Sequence, residues 1–358
     1  MEEKENKQKL DYKEFWDWFV TMEKNFYDVV KEGGQESIEK NFFDVISPKL
    51  RQVNEGYYFL AGMFDHSTAE LIITVEGQIK NIVFAEELIA AAPVLEHWKF
   101  TALKPAMDVN KVNITMDGYQ FTKDNIFFYS REQEKYPDEI DLVFVYDGNA
   151  ENKNAITTGV CIFLDSFLGE LNFATQIDTF TVVGKEHAEK ELVPVEKLKD
   201  FLSWREREFT EKYKSVKRAE AEDEFSILRA QLDNERPLIA CMNLPLLQFD
   251  AKASYPWISV IKAHYNGDNN DGLPEKEDFE KLSDIEDKAV EELKEAGYLY
   301  IGRESADNVK ESFFAGKDFR QIAKVFQKIK QSNPEYQMSF RIFKDKYWQF
   351  FEYYNNAV

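Results

Sequence analysis

The order of residue patterns between Tyr255 and Lys344 constrains this chain most. It reads strand, helix, strand, strand, helix, strand. That is the split β-α-β signature of a ferredoxin-like sandwich. The superfold hosts many unrelated activities, so the order speaks to fold and not to function. Trp257, Ile258, Val260 and Ile261 fall in the first apolar stretch, which breaks at the loop chemistry of residues 266–272, Asn-Gly-Asp-Asn-Asn-Asp-Gly. Pro274 and the acids Glu275, Glu277 and Asp278 open a helix, where proline fits the first turn and acids complement the dipole. Phe279, Leu282, Ile285, Ala289, Leu293 and Ala296 recur at steps of three and four, and Gly297 stops the run. Tyr298–Ile301 and Val309–Ala315 read as a hairpin. Phe319, Ile322, Ala323, Phe326 and Ile329 mark a second helix, ended by Asn333-Pro334. Met338–Phe343 is the last strand, and the aromatic run Tyr347–Tyr354 is expected to be a closing helix.

At 358 residues the chain is long enough for two domains of roughly 100–200 residues each. Its N-terminal part begins with a helix carrying Phe15, Phe19, Met22, Phe26 and Val29 on one face, ending near Gly33-Gly34. A second helix ends near Pro48 or a turn later. Tyr57–Phe64 and Glu70–Val75 read as a strand hairpin, Val83–Ala91 as a helix, and five further strands are expected between Trp98 and Tyr146. Ala155–Leu168 is apolar nearly all round, the pattern of a helix buried on most sides. Phe173–Val183 reads as a strand and Pro194–Tyr213 as a long helix, continued by a charged helical stretch. The expected class is therefore α+β with two domains. Residues 1–215 form a mixed, mainly antiparallel sheet with helices, residues 216–230 a charged helical linker, and residues 231–358 a ferredoxin-like βαββαβ sandwich.

The formal net charge is -21, and both halves are acidic: residues 1–220 balance to -14 and residues 221–358 to -7. Nucleic-acid binding needs clustered Lys and Arg, which neither half supplies. The two cysteines, Cys161 and Cys241, form no CxxC motif or disulfide framework, which suits a reducing compartment. Met1–Lys9 is charged and lacks the apolar core of a signal peptide. No apolar stretch reaches about 18 residues, so no membrane span is expected, and the expected location is the cytoplasm.

His66, His97, His187 and His264 are far apart and show no HExxH spacing, so no metal site is expected. There is no GxSxG elbow, no GxGxxG and no GxxxxGK[ST], and no cofactor or catalytic residue is expected. Asp268, Asn270 and Asp271 before Gly272 fail the spacing of a calcium loop and read as turn residues. The carboxylates that stand out are Asp165 and Glu170, beside the apolar helix end at Leu168-Gly169. A partly buried acid needs a partner or a shifted pKa, and such groups collect at sites. Trp204 and Arg205, with Trp98, could supply a cation and stacking surfaces. Backbone N–H groups or a paired Lys or Arg are the structural alternative for such acids.

Arg236-Pro237-Leu238, Tyr255-Pro256-Trp257, Gly272-Leu273-Pro274, the helix segment Leu282-Ser-Asp-Ile-Glu-Asp287 and Tyr300-Ile301-Gly302 resemble a bacterial family known as domain of unknown function 695. The resemblance covers roughly residues 225–358. It implies a fold related to the regulators of ribonuclease E activity B, small acidic proteins that inhibit an RNase by binding it. It brings no catalytic residues. The N-terminal part, with Leu103-Lys104-Pro105, Phe163-Leu164-Asp165 and Leu168-Gly169-Glu170, resembles an uncharacterised region of Bacteroidetes-type proteins. The expected function is a non-catalytic binding or regulatory protein that acts by contact with a protein partner. The alternatives are a small-molecule-binding protein or enzyme with an interdomain cleft around Asp165, Glu170, Trp204 and Arg205, and an immunity or antitoxin-like protein.

Overall fold

The computed structural model describes residues 10–148, 151–216, 218 and 223–355. The chain divides into two units, residues 1–130 with 142–199, and residues 131–141 with 200–358.

In the first unit, helix α1 (Tyr12–Glu32) starts at a capping box. The Asp11 carboxylate accepts from the Glu14 N–H, and Glu14 reaches back to the Asp11 N–H. Its buried face, Phe15, Trp16, Phe19, Phe26 and Val30, follows the expected periodicity. The next helical stretch comprises α2 (Gln35–Ile38), a π-type turn (Glu39–Phe43) and α3 (Asp44–Val53), ending about a turn past Pro48. Strands β1 (Tyr58–Met63) and β2 (Ala69–Thr74) form the expected hairpin. Helix α4 (Ile79–Ala90) then crosses over to β3 (Trp98–Ala102), which pairs parallel with β2. Trp16 and Phe19 pack their rings on Phe100 and Trp98, with centroids 4.5 and 5.1 Å apart.

The described residues of this unit make three sheets instead of one. Besides β1-β2-β3 there is a pair, β4 (Ile114–Met116) and β5 (Tyr119–Phe121), and a four-stranded sheet. The latter contains β6 (Ile126–Arg131), β7 (Asp141–Tyr146), β8 (Thr179–Gly184) and β9 (Val193–Pro194) in the order β8-β7-β6-β9. Every residue of β7 is buried. Helix α5 (Lys153–Leu168) is the apolar helix expected from the sequence. The expected strand at Phe173–Val183 is corrected over its first part. Gly169, at φ +80°, ends α5 and opens α6 (Glu170–Gln176). Phe173 N–H bonds to the Gly169 carbonyl, and Asn172 and Thr175 bond back to Leu168 and Leu171. Among the described residues no single helix is long and apolar enough to cross a membrane.

Helix α7 (Leu198–Tyr213) follows, and the unit boundary falls within it. The helical linker expected over 216–230 does not hold at its end, although residues 217 and 219–222 lie outside the described residues. From Phe225 the chain is strand β10 (Phe225–Gln231), because β11 (Pro237–Asn243) offers it a full antiparallel register from Phe225↔Asn243 to Gln231↔Pro237. A short helix, α8 (Leu244–Leu247), precedes β12 (Trp257–His264), α9 (Lys276–Glu295), β13 (Leu299–Ala306), β14 (Val309–Gly316), α10 (Arg320–Ser332) and β15 (Gln337–Lys344). The six strands form one sheet in the order β10-β11-β13-β14-β12-β15, every neighbouring pair antiparallel.

The period of two along each strand sorts this sheet into two faces. Met242, Ile258, Val260, Ile301, Phe313 and Ala315 pack with Trp348, Phe351 and Tyr354 on one side. Ala263 and Met338 pack on the other with Leu282 of α9, and Phe314 meets Phe326 of α10 at 5.6 Å. The aromatic tail is not the single closing helix expected. Trp348 takes φ +56°, which splits it into a 3₁₀ turn (Gln349–Phe351) and α11 (Glu352–Asn355).

Candidate functional site

Glu170 is only 1% exposed. Its carboxylate accepts from the N–H groups of Val75 (3.0 Å), Gly77 (3.0 Å) and Lys104 (3.1 Å) and from the Thr74 hydroxyl (2.6 Å). It therefore ties the end of β2 to the turn after β3, where Leu103 adopts φ +64°. Asp165 meets the Lys104 ammonium at 2.7 Å. Burial pushes the Asp165 carboxyl up, only partly offset by Lys104. The two acids thus share Lys104, one through its backbone and one through its side chain. Trp204 and Arg205 are neighbours on α7, in the other unit. Trp204 is 51% exposed. Arg205 donates to the carbonyls of Pro137 (2.7 Å) and Glu139 (3.4 Å) and pairs with Glu208.

A second buried polar cluster centres on Glu286, a residue that motif reasoning did not single out. Leu282, Glu286, Ala289 and Leu293 share the buried face of α9, so a carboxylate interrupts an otherwise apolar stripe. That interruption was the available signal. Glu286 is 5% exposed. One oxygen accepts from Tyr300 Oη (2.8 Å) and Arg303 Nη1 (2.5 Å). The other accepts from Ser312 Oγ (2.5 Å) and faces Lys310 Nζ at 3.1 Å. Burial, the largest influence, would raise the Glu286 carboxyl, but the charges of Lys310 and Arg303 with the bonds from Ser312 and Arg303 outweigh it and hold it below its ordinary value. Burial lowers the Lys310 ammonium, more than Glu286 restores it, and raises the Tyr300 phenol. Lys310 also donates to the Leu282 carbonyl at 3.0 Å.

A β-bulge assembles this cluster. Strict alternation would put Tyr300 and Arg303 on opposite faces. The register shifts between Tyr300 and Gly302, so Tyr300 pairs with Phe314, Gly302 with Phe313 and Arg303 with Ser312. Both polar side chains then point to α9. Gly302 has φ +147°, and a Cβ there would lie 2.4 Å from the Cys241 carbonyl oxygen. Only glycine fits.

Beside the cluster lies an open cavity of about 450 Å³, whose described lining residues fall between 218 and 314. Its apolar wall includes Phe225, Tyr300 and Phe314, with Phe225 and Tyr300 stacked at 5.6 Å. Glu286 and Arg303 form part of its floor, and Asp287 and Lys294 reach it from the outer side of α9. Arg218 and Asp223 pair with each other on the remaining side, and Asp223 also accepts from Asn243 at 2.8 Å. Cys241 lines the cavity as a half-buried free thiol. The sheet extends beyond the two helices by β10 and β11, which leaves Phe225 (43%) and Ile227 (69%) exposed on β10. Among the described residues no group of three or more His, Cys, Asp or Glu side chains is placed to hold a metal.

Residues 223–354 match the model of a family of unknown function (DUF695). The C-terminal resemblance read from the sequence therefore stands. The match takes in all six strands of the second unit's sheet, the Glu286 cluster and most of the cavity wall. No curated protein and no solved structure matches the chain.

Proposed function

We propose that this chain is a non-catalytic, cytoplasmic binding protein that acts through contact with a protein partner, seated at the cavity beside Glu286. The observation that carries this reading is the state of Glu286. Both oxygens are engaged by donors and its carboxyl is held low. A general base keeps a lone pair open and a pKa near the working pH. Glu286 instead orients Arg303 and Tyr300, which is how a recognition surface is held rigid. A cavity of this size, with an apolar wall beside fixed polar and charged groups, supports the reading of a binding site.

The run β12-α9-β13-β14-α10-β15, with strand order β13-β14-β12-β15, supports reading this unit as a ferredoxin-like sandwich widened by β10 and β11. Kinship with the regulators of ribonuclease E activity B, and of the N-terminal part with a Bacteroidetes-type region, belongs to the same proposal. The acidic balance disfavours nucleic acid as the partner, and two free thiols suit the cytoplasm. A ligand site built on Asp165 and Glu170 has less support, because four donors fill Glu170 and Lys104 neutralises Asp165.

The test is affinity capture from the native host with the wild-type chain and with Cys241→Trp, which fills the cavity. A near-stoichiometric protein from the wild type that is lost from the variant is the expected result. No stoichiometric protein from the wild type, or equal capture by both, removes the reading.

A further inference from the structure

The Glu286 cluster leaves Arg303 half-used. A guanidinium has five N–H donors in a planar fork, and a carboxylate normally takes two of them in parallel. Glu286 takes Nη1 alone, and among the described residues it is the only acceptor that Arg303 meets. Tyr300 occupies the same Glu286 oxygen, and Ser312 and Lys310 occupy the other, so the carboxylate cannot close the fork. Arg303 is partly exposed and lines the cavity.

Around the wall, the described residues Arg218, Lys294 and Arg303 stand with Asp223, Glu286 and Asp287, so the lining carries fixed charges of both signs. The stacked pair Phe225 and Tyr300 lines the same cavity as Arg303.

We infer that the cavity binds a carboxylate borne on an apolar, preferably aromatic, body. The Arg303 fork takes the carboxylate, and Phe225 and Tyr300 take the body. Inorganic phosphate has no apolar part for Phe225 and Tyr300 to hold. The same chemistry comes from the C-terminal residue of a protein or from a free small acid. This inference rests on the reading of the cavity as a binding site and adds the chemical class of what enters it.

The test is titration of the full chain with N-acetylphenylalanine, its amide, 3-phenylpropionate and inorganic phosphate, read by amide resonances of Cys241, Tyr300 and Arg303. At least one acid should bind with a dissociation constant on the order of 1–10 mM, as expected for fragments of this size. The amide should bind about tenfold or more weakly, because it loses a charge-assisted bond. Tighter binding of N-acetylphenylalanine than of 3-phenylpropionate assigns the chemistry to a chain terminus, and equal binding assigns it to a free acid. Arg303→Gln should lose about tenfold or more for the acids. That variant also perturbs Glu286, so exposed Phe225→Ala provides a second reading. It should weaken N-acetylphenylalanine about three- to tenfold by removing one aromatic contact.

Amide and acid binding within threefold of each other, phosphate binding as well as the acids, or no shift with either acid at about 20 mM would each overturn the inference. If acid and amide bind alike while Cys241→Trp still loses a captured protein, the ligand class is wrong and the binding reading survives. If the acids bind selectively but no protein is captured, the ligand class survives and the protein-contact reading falls.

Discussion

Replacing Glu286 by glutamine keeps the side chain's size and removes its charge. In the native cluster the carboxylate faces Arg303 at 2.5 Å and Lys310 at 3.1 Å, and accepts from Tyr300 and Ser312. Glutamine offers one acceptor oxygen and one NH₂ donor. Whichever way it turns, the NH₂ opposes either Arg303 and Tyr300 or Ser312 and Lys310, and that pair loses its acceptor oxygen. Lys310 suffers most, because it is buried and its ammonium loses its counter-charge. Removing one member of a buried ion pair costs about 3–5 kcal/mol. A typical domain holds only about 5–15 kcal/mol in total. With a urea slope of about 1–3 kcal/mol per molar, the midpoint of the second unit should fall by roughly 1–5 M. Pulsed hydrogen exchange on peptides from 299–316 reads this unit separately from the other.

The pH arm has a definite sign. The folded carboxyl lies below its ordinary value of 4.5, so between those two values the unfolded chain binds more protons than the folded one. The stabilisation is fully present above pH 4.5 and is lost as pH falls through the folded value. The gap between wild type and variant should therefore narrow in acid. A midpoint within about 0.3 M of wild type at pH 7, or a gap that stays constant to pH 3, would refute an ionised Glu286 held by two cations. Glu286→Gln combined with Lys310→Met should recover part of the loss, since it also removes the orphaned charge.

Glu170→Ala should destabilise the first unit by about 3–5 kcal/mol, because it strands three backbone N–H groups and the Thr74 hydroxyl that the carboxylate now holds. Exchange of the Val75, Gly77 and Lys104 amides reports it, and unchanged protection there would contradict the assignment. Asp138→Asn should loosen the segment 131–141. Burial would raise Asp138, but bonds from Lys212 (2.8 Å), Tyr347 (2.7 Å) and Tyr213 (2.7 Å) together hold it below its ordinary value of 3.8. That contribution is present above pH 3.8 and vanishes as pH falls through the folded value. Amide exchange across 132–140 should be faster in the variant at pH 7, and the difference should shrink as pH falls below 3.8. Equal rates at pH 7 would count against the charge as the cause.

Much of the second unit's local structure was legible before any coordinates. The three- and four-residue steps through Leu282, Ala289 and Leu293, the stop at Gly297 and the break at Asn333-Pro334 mark helices α9 and α10. These are signals carried within a turn or two of chain. Strand β10 was not legible in this way. Phe225, Ile227 and Arg229 alternate outward, but the charged stretch before them favours helix, and the decision rests on pairing with β11. The same holds for Phe173: its helix depends on the positive φ of Gly169 and on bonds back to Gly169 and Leu168.

Glu170 and Asp165 were picked out as acids beside an apolar helix, but their partners lie some 60–96 residues away in sequence. Glu286 shows why the candidate site needed three dimensions. Its place on the apolar face of α9 follows from periodicity alone. The reason a charge can stay there does not. That depends on a bulge that turns Tyr300 and Arg303 to the same side, and on Lys310 and Ser312 arriving from the neighbouring strand. Sequence determines propensities, caps and the order of elements, because these act over a few residues. Tertiary structure decided which strands meet, which acids are neutralised and where a cavity remains, because each of those depends on groups brought together across the whole sheet.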